Sequence, residues 1–205
     1  MTPIYWQQAV TELSSHDPIL CRLSQQFSEV SFEQQSNTLA TLARAIVGQQ
    51  ISVKAAASVW RRVCAVLPEM TPPALMAIEP DILRNCGLSA RKTSYLQNLA
   101  CHFENGLLRE TGWRDLPDEE LIRQLICVKG IGRWTAEMFL IFHLHRPNVL
   151  PLDDIGLQRA VSIHYNGGLP MHRHEINTIA QNWQPWRSVA TWYLWRSLDP
   201  FPVIY

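Results

Sequence analysis

The chain has 205 residues, 47% of them hydrophobic and 18% charged, which is enough to bury a core in one domain or two small lobes and too little charge for a disordered segment. Eighteen basic residues cancel eighteen acidic ones, so a nucleic-acid partner would have to be held by a local basic face. No apolar run is long enough for a bilayer, and M-T-P-I-Y-W-Q-Q has no basic stretch before an apolar one, so a soluble intracellular protein is expected.

Taken in order, almost everything reads as helix. In H-D-P-I-L, Asp17 is a natural N-cap and Pro18 a first helical residue, and Leu20, Leu23 and Phe27 follow as one stripe. Ser36 or Asn37 opens a longer helix carrying Leu39, Leu42, Ala43, Ile46 and Val47 at the 3.6-residue period, and Gly48 breaks it. After G-Q-Q-I-S a helix restarts near Ser52, with Ala55, Ala56, Val59 and Val63. Two glutamines and an isoleucine are odd in a plain corner, where Gly, Asn, Asp or Pro is usual. Thr71 caps the next helix, Gly87 closes another, and Ser89 opens one whose buried stripe is Leu96, Leu99, Ala100 and Phe103. Pro117 and Asp118 start a helix with acidic residues in its first turn, where the helix dipole favours them. Later segments open at Asp153 or Asp154 and end by Asn166 to Gly168, and Pro185 reads as a first helical residue. With no alternating stretch of strand length, the expected fold class is all-α with short loops.

The stretch richest in chemistry is Val128 to Arg159. Gly130 and Gly132 flank one apolar residue, allowing a tight turn that leaves N–H groups at the mouth of the helix beginning near Arg133, and such a mouth holds phosphate. Lys129 and Arg133 add charge beside it, and the Thr135 hydroxyl can donate. Further cationic candidates are Arg61, Arg62, Arg91, Lys92 and Arg187. Asp153 and Asp154 stand where a helix starts, so one can cap while the other points elsewhere. Cys21, Cys64, Cys86, Cys101 and Cys127 show no C-x-x-C spacing, which speaks against a zinc site or a disulfide framework. His143-x-His145 and His172-x-His174 point to different helix sides with no carboxylate or thiolate completing a set, so no metal site is expected.

K-G-I-G-R-W-T-A-E-M-F followed by L-P-L-D-D-I-G-L resembles the helix-hairpin-helix DNA glycosylases, and in particular their AlkA-type, 3-methyladenine DNA glycosylase II branch. The likeness runs from A-I-V-G-Q-Q-I-S (Ala45 to Ser52) to W-Q-P-W-R-S (Trp183 to Ser188). It implies a two-lobed helical fold. One lobe spans 36–148 and carries the helix-hairpin-helix at about 118–143; 1–35 with 149–205 form the other, and the active site lies at the junction. The β-rich N-terminal domain of the larger family member has no counterpart, and without cysteines beyond Cys127 an iron–sulfur cluster is not expected.

The resemblance also assigns roles. Gln50, with Ile51, becomes the wedge entering the duplex where a damaged nucleotide leaves. Asp154, with Arg159 five residues on, becomes the catalytic carboxylate, and Asp153 the helix cap. Trp134, Trp195 and Met138 line the base pocket. Bifunctional relatives carry a lysine where Trp134 stands, so a monofunctional enzyme without lyase activity is implied. The aromatic face of Trp134 suits a base made cationic by alkylation, an attraction of about 0.5 to 2 kcal/mol when desolvated. Many relatives carry proline at the position of Lys129, and in several the hairpin carbonyls hold a monovalent cation; no other cofactor is implied. The expected partner is double-stranded DNA containing 3-methyladenine or 7-methylguanine type lesions, the expected state a monomer in the cytoplasm or nucleoid. The rival readings are a non-catalytic helix-hairpin-helix DNA-binding module and a glycosylase for deaminated or mispaired bases.

Overall fold

The computed structural model describes residues 2–29 and 37–198, and every regular element among them is helical. The chain divides into two compact units, Met1–Gln34 with Leu140–Tyr205, and Gln35–Phe139. The second boundary falls ahead of the expected one after Asn148. Phe142, at the end of its helix, stacks on Trp195 (centroids 5.9 Å apart, planes at 17°), so these residues build the core of the first unit.

That first unit contains α1 (Trp6–His16), α2 (Pro18–Gln26), α10 (Ile155–Tyr165), α11 (Arg173–Gln181) and α12 (Arg187–Arg196). Its axis is α12, in which every residue from Ser188 to Trp195 is buried and which packs against α1, α2 and α10. A helix without a polar face belongs in the interior. Asp17 ties the unit together: its Oδ1 accepts from the Ile19 and Leu20 amides, capping α2, and its Oδ2 accepts from the Tyr165 hydroxyl (2.7 Å) and the Trp183 indole (3.2 Å).

Helix α1 has no start signal in the sequence, since Tyr5 at its N-cap makes no side-chain cap; it forms because Trp6, Ala9 and Leu13 bury one face. One expectation for this unit is corrected: Pro185 is not the first residue of α12. The Trp186 amide closes a turn onto the Trp183 carbonyl, and only from Val189 and Ala190 do amides bond back to Trp186.

The second unit contains α3 (Thr38–Gly48), α4 (Val53–Val66), α5 (Pro72–Ala77), α6 (Pro80–Asn85), α7 (Ala90–Glu104), α8 (Asp118–Leu125) and the first part of α9 (Arg133–Phe142). Asn37, Ser52, Thr71 and Ser89 each accept a first-turn amide from α3, α4, α5 and α7, as the sequence leads one to expect; Ser36 lies outside the described residues. Helix α7 is the organising element here, packing against α3, α5 and α6.

Candidate active site and DNA-contacting loops

The hairpin follows α8. The Val128 amide bonds to the Leu125 carbonyl, and the Ile131 amide to that of Val128 (3.0 Å), which turns the chain back on itself. Gly130 sits at φ +89°, and a β-carbon there would lie 2.2 Å from the Tyr95 ring, so both conformation and close approach demand glycine. Gly132 has the opposite environment, with nothing within 4 Å of where a β-carbon would be. Its backbone therefore faces open space. The first helical bond of α9 runs from the Ala136 amide to the Gly132 carbonyl, so by helix geometry the amides of Arg133, Trp134 and Thr135 precede it and form the mouth.

The side chains at that mouth differ from expectation. Thr135 is only 8% exposed, so its hydroxyl is withdrawn from the mouth and only its amide belongs to it. The Arg133 guanidinium pairs with Glu119 of α8 and, through Nε, with Glu137 (2.9 Å). It clamps the two hairpin helices together, and these carboxylates hold its pKa above the usual arginine value, the Glu119 hydrogen bond most of all. Lys129 remains exposed while its amide donates to Asn98 Oδ1 (2.9 Å). Of the other candidate cations, Arg62 donates to the Cys86 carbonyl, Lys92 to the carbonyls of Val47 and Gln49, and Arg187 to Asn148. Arg61 and Arg91 are exposed. The hairpin carbonyls of Val128 and Gly130 each accept one N–H and keep a second lone pair, so a monovalent cation there fits their chemistry.

The Q-Q-I-S corner proves to be a strained turn. Gln50 adopts φ +58°, a left-handed conformation disfavoured for a residue with a β-carbon, and both it and Ile51 are exposed. Two groups hold the turn. Lys92 Nζ donates to the carbonyls of Val47 (2.8 Å) and Gln49 (2.6 Å), and Gln49 Nε2 donates to the Gly130 carbonyl (2.7 Å). Burial lowers the Lys92 pKa from the usual lysine value. The sequence reading takes Lys92 only as a candidate cation of a nucleic-acid face and gives Gln49 no role; the doubled glutamine is the one signal that could have pointed to the latter.

Trp134 opens α9 with 40% of its surface exposed, and Met138, one turn further on the same face, is 6% exposed.

In the other unit the cap expected at Asp153 is made by its neighbour. Asp154, not Asp153, is the N-cap of α10, with Oδ1 accepting from the Leu157 amide at 2.6 Å. The helix starts one residue later than an Asp153 cap requires. Asp153 is exposed and pairs with Arg173 of α11 (2.8 Å). The same Asp154 Oδ1 also accepts from Trp195 Nε1 at 2.7 Å. Trp195 is 6% exposed and lies flat on Phe142, so its indole N–H is fixed before it meets the carboxylate. Asp154 itself is partly exposed. Gly156 completes the arrangement: a β-carbon there would stand 3.0 Å from Asp154 Oδ1 and 3.3 Å from the Trp195 ring. A small residue is what lets the indole reach the carboxylate.

Residues 43–187 match the family described as "HhH-GPD superfamily base excision DNA repair protein". The chain is 36% identical to DNA-3-methyladenine glycosylase 1 of Schizosaccharomyces pombe over 162 residues, covering 76% of this chain and 70% of the relative. Its fold matches the crystal structure of a DNA-3-methyladenine glycosidase from Bacillus halodurans with a TM-score of 0.84 at 32% identity, covering 92% and 88% of the two chains. It also matches the S. pombe 3-methyladenine DNA glycosylase Mag1 in complex with abasic DNA, with a TM-score of 0.81 at 30% identity, covering 93% of this chain and 96% of that one. The all-helical architecture, the glycine hairpin and the buttressed aspartate thus occur in a chain that belongs to the HhH-GPD superfamily of base excision DNA repair proteins.

Proposed function

We propose that the protein is a monofunctional DNA glycosylase that hydrolyses the bond between the sugar and an alkylated purine of the 3-methyladenine or 7-methylguanine type, leaving an abasic site. The observation that carries this reading is Asp154, partly exposed and fixed through one oxygen by the Leu157 amide and the Trp195 indole. A cap that also receives a buried tryptophan N–H is held more firmly than capping alone requires.

The chemistry follows from a fixed carboxylate. As the glycosidic bond breaks, the electron pair leaves with the base and the sugar ring becomes cationic, so a pre-oriented negative charge lowers the barrier. The carboxylate also orients water for attack on the anomeric carbon and takes its proton. An alkylated purine already carries positive charge and departs neutral. It needs no general acid. The exposed face of Trp134 suits such a cation, with Met138 beside it on the helix.

With tryptophan at position 134 there is no amine to attack the sugar, and the reaction ends at hydrolysis. Double-stranded DNA is held at the hairpin mouth by the amides from Gly132 to Thr135 and by Lys129, without sequence readout, while Gln50 and Ile51 enter the gap left by the everted nucleotide. A cation on the hairpin carbonyls would add charge next to the phosphate and takes no part in bond cleavage. The protein acts as a soluble intracellular monomer.

Incubating it with methylated duplex DNA and separating the released bases tests the proposal. Release of 3-methyladenine and 7-methylguanine with abasic but uncleaved strands is expected. Release of uracil or hypoxanthine alone, or of no base, contradicts it.

A further inference from the structure

Helix α7 sets three side chains, Lys92, Tyr95 and Asn98, three residues apart on one face. Each meets a loop assigned to DNA. Lys92 Nζ holds the Val47 and Gln49 carbonyls of the wedge turn. The Tyr95 ring fills the space where Gly130 would carry a β-carbon, and Asn98 Oδ1 receives the Lys129 amide. Gln49 closes the loop by donating from the wedge turn to the Gly130 carbonyl of the hairpin.

We propose that Lys92 and Gln49 are positioning residues that lock the wedge turn to the phosphate hairpin, so that gripping the backbone and filling the vacated stack occur at one fixed spacing. The proposal rests on the reading of Gln50 as the wedge. The strain supports it. Gln50 at φ +58° persists only if its surroundings over-determine it, and the carbonyls on its N-terminal side are the ones Lys92 clamps. The Val47 and Gln49 carbonyls at the end of α3 and the Gly130 carbonyl of the hairpin need partners, and here an ammonium and a carboxamide supply them where water would otherwise. Without the clamp the turn relaxes toward an ordinary helix corner. The hairpin, held separately by Tyr95 and Asn98, keeps its phosphate grip.

The test uses the full chain and a duplex with a tetrahydrofuran abasic analogue opposite 2-aminopurine, so that wedge entry is read as a fluorescence change without any turnover. Lys92→Met should bind this duplex within about threefold of wild type yet lose most of the fluorescence response, and Lys92→Arg should restore it. In a Gln50→Ala background, Lys92→Met should add nothing, because it acts through Gln50. Full fluorescence in Lys92→Met, or losses that add in the double variant, overturn the proposal. Should Lys92→Met lower the melting temperature enough to blur the reading, Gln49→Ala leaves the ammonium in place and must show the same split between binding and fluorescence; an unchanged signal there also overturns it. Release of methylated bases is measured separately, so failure of the glycosylase reading is distinguishable from failure of the clamp.

Discussion

Replacing Trp195 by phenylalanine isolates one interaction at the candidate catalytic carboxylate. The substitution keeps an aromatic ring against Phe142 but removes the indole N–H that reaches Asp154 Oδ1 at 2.7 Å. Trp195 is 6% exposed, so bulk water does not readily replace that donor. A hydrogen bond to a charged group contributes about 1.5 to 3 kcal/mol. The Leu157 amide still holds Asp154, so the helix cap survives and the carboxylate loses orientation rather than its place. If the whole of that energy is needed to aim the carboxylate in the transition state, the single-turnover rate falls between about tenfold and about a hundredfold. The assay is release of methylated purine from duplex DNA under saturating protein, which removes any change in base affinity from the rate, with thermal unfolding followed alongside. A rate within about twofold of wild type in a folded Trp195→Phe variant would show that the indole N–H does not orient the carboxylate.

Other perturbations follow from the same structure. Gly156→Ala places a methyl 3.0 Å from Asp154 Oδ1 and 3.3 Å from the Trp195 ring, on a backbone that alanine adopts freely. Its melting temperature should stay at or near that of wild type, since alanine favours helix by about 1 kcal/mol over glycine, while base release slows. Asp17→Ala removes the α2 cap and orphans the Tyr165 hydroxyl and the buried Trp183 indole, so denaturant titration should show a loss of about 3 to 5 kcal/mol with no change in DNA binding per folded molecule. Burial lowers the pKa values of His143, His145 and His164. The unfolded chain then binds more protons than the folded one near their ordinary value of about 6.5, so stability is present above that pH and is lost as pH falls through it. Melting temperatures should drop between about pH 7.5 and pH 5.5, and a flat profile would contradict the assignment.

Much of the helical framework can be read from capping chemistry. Asp17 with Pro18, Asn37, Thr71 and Ser89 are side chains that satisfy first-turn amides in an unfolded or folded chain alike, so their meaning is local. Helix α1 escapes such reading because its entry at Tyr5 has no cap and its stability comes from burying Trp6, Ala9 and Leu13. The glycine hairpin is legible because Gly130 answers to a backbone requirement, whereas the reason for that requirement, the Tyr95 ring, lies far away in sequence.

The aspartate pair shows the limit most clearly. Local pattern places a cap at one of two adjacent carboxylates without choosing between them, and a start shifted by one residue moves the cap: Asp154 caps α10 while Asp153 binds Arg173. Trp195 acts on Asp154 across a tertiary contact no spacing rule encodes, and Lys92 reaches the carbonyls of Val47 and Gln49 from a different helix. Long-range partners of backbone carbonyls leave no periodic trace. That is also why the basic candidates Arg62, Arg133 and Arg187 read as a nucleic-acid face in the sequence and are found holding the protein's own carbonyls and carboxylates.

The central claim is that the charge of Asp154 drives cleavage, and Asp154→Asn tests it with little structural cost. Asparagine is as good an N-cap as aspartate and can still accept from the Leu157 amide and the Trp195 indole, so only the negative charge is removed. Release of methylated purines from duplex DNA should fall by at least about a thousandfold while affinity for abasic-site DNA stays within a few-fold of wild type. Unchanged release by the folded Asp154→Asn protein would place the chemistry on another residue.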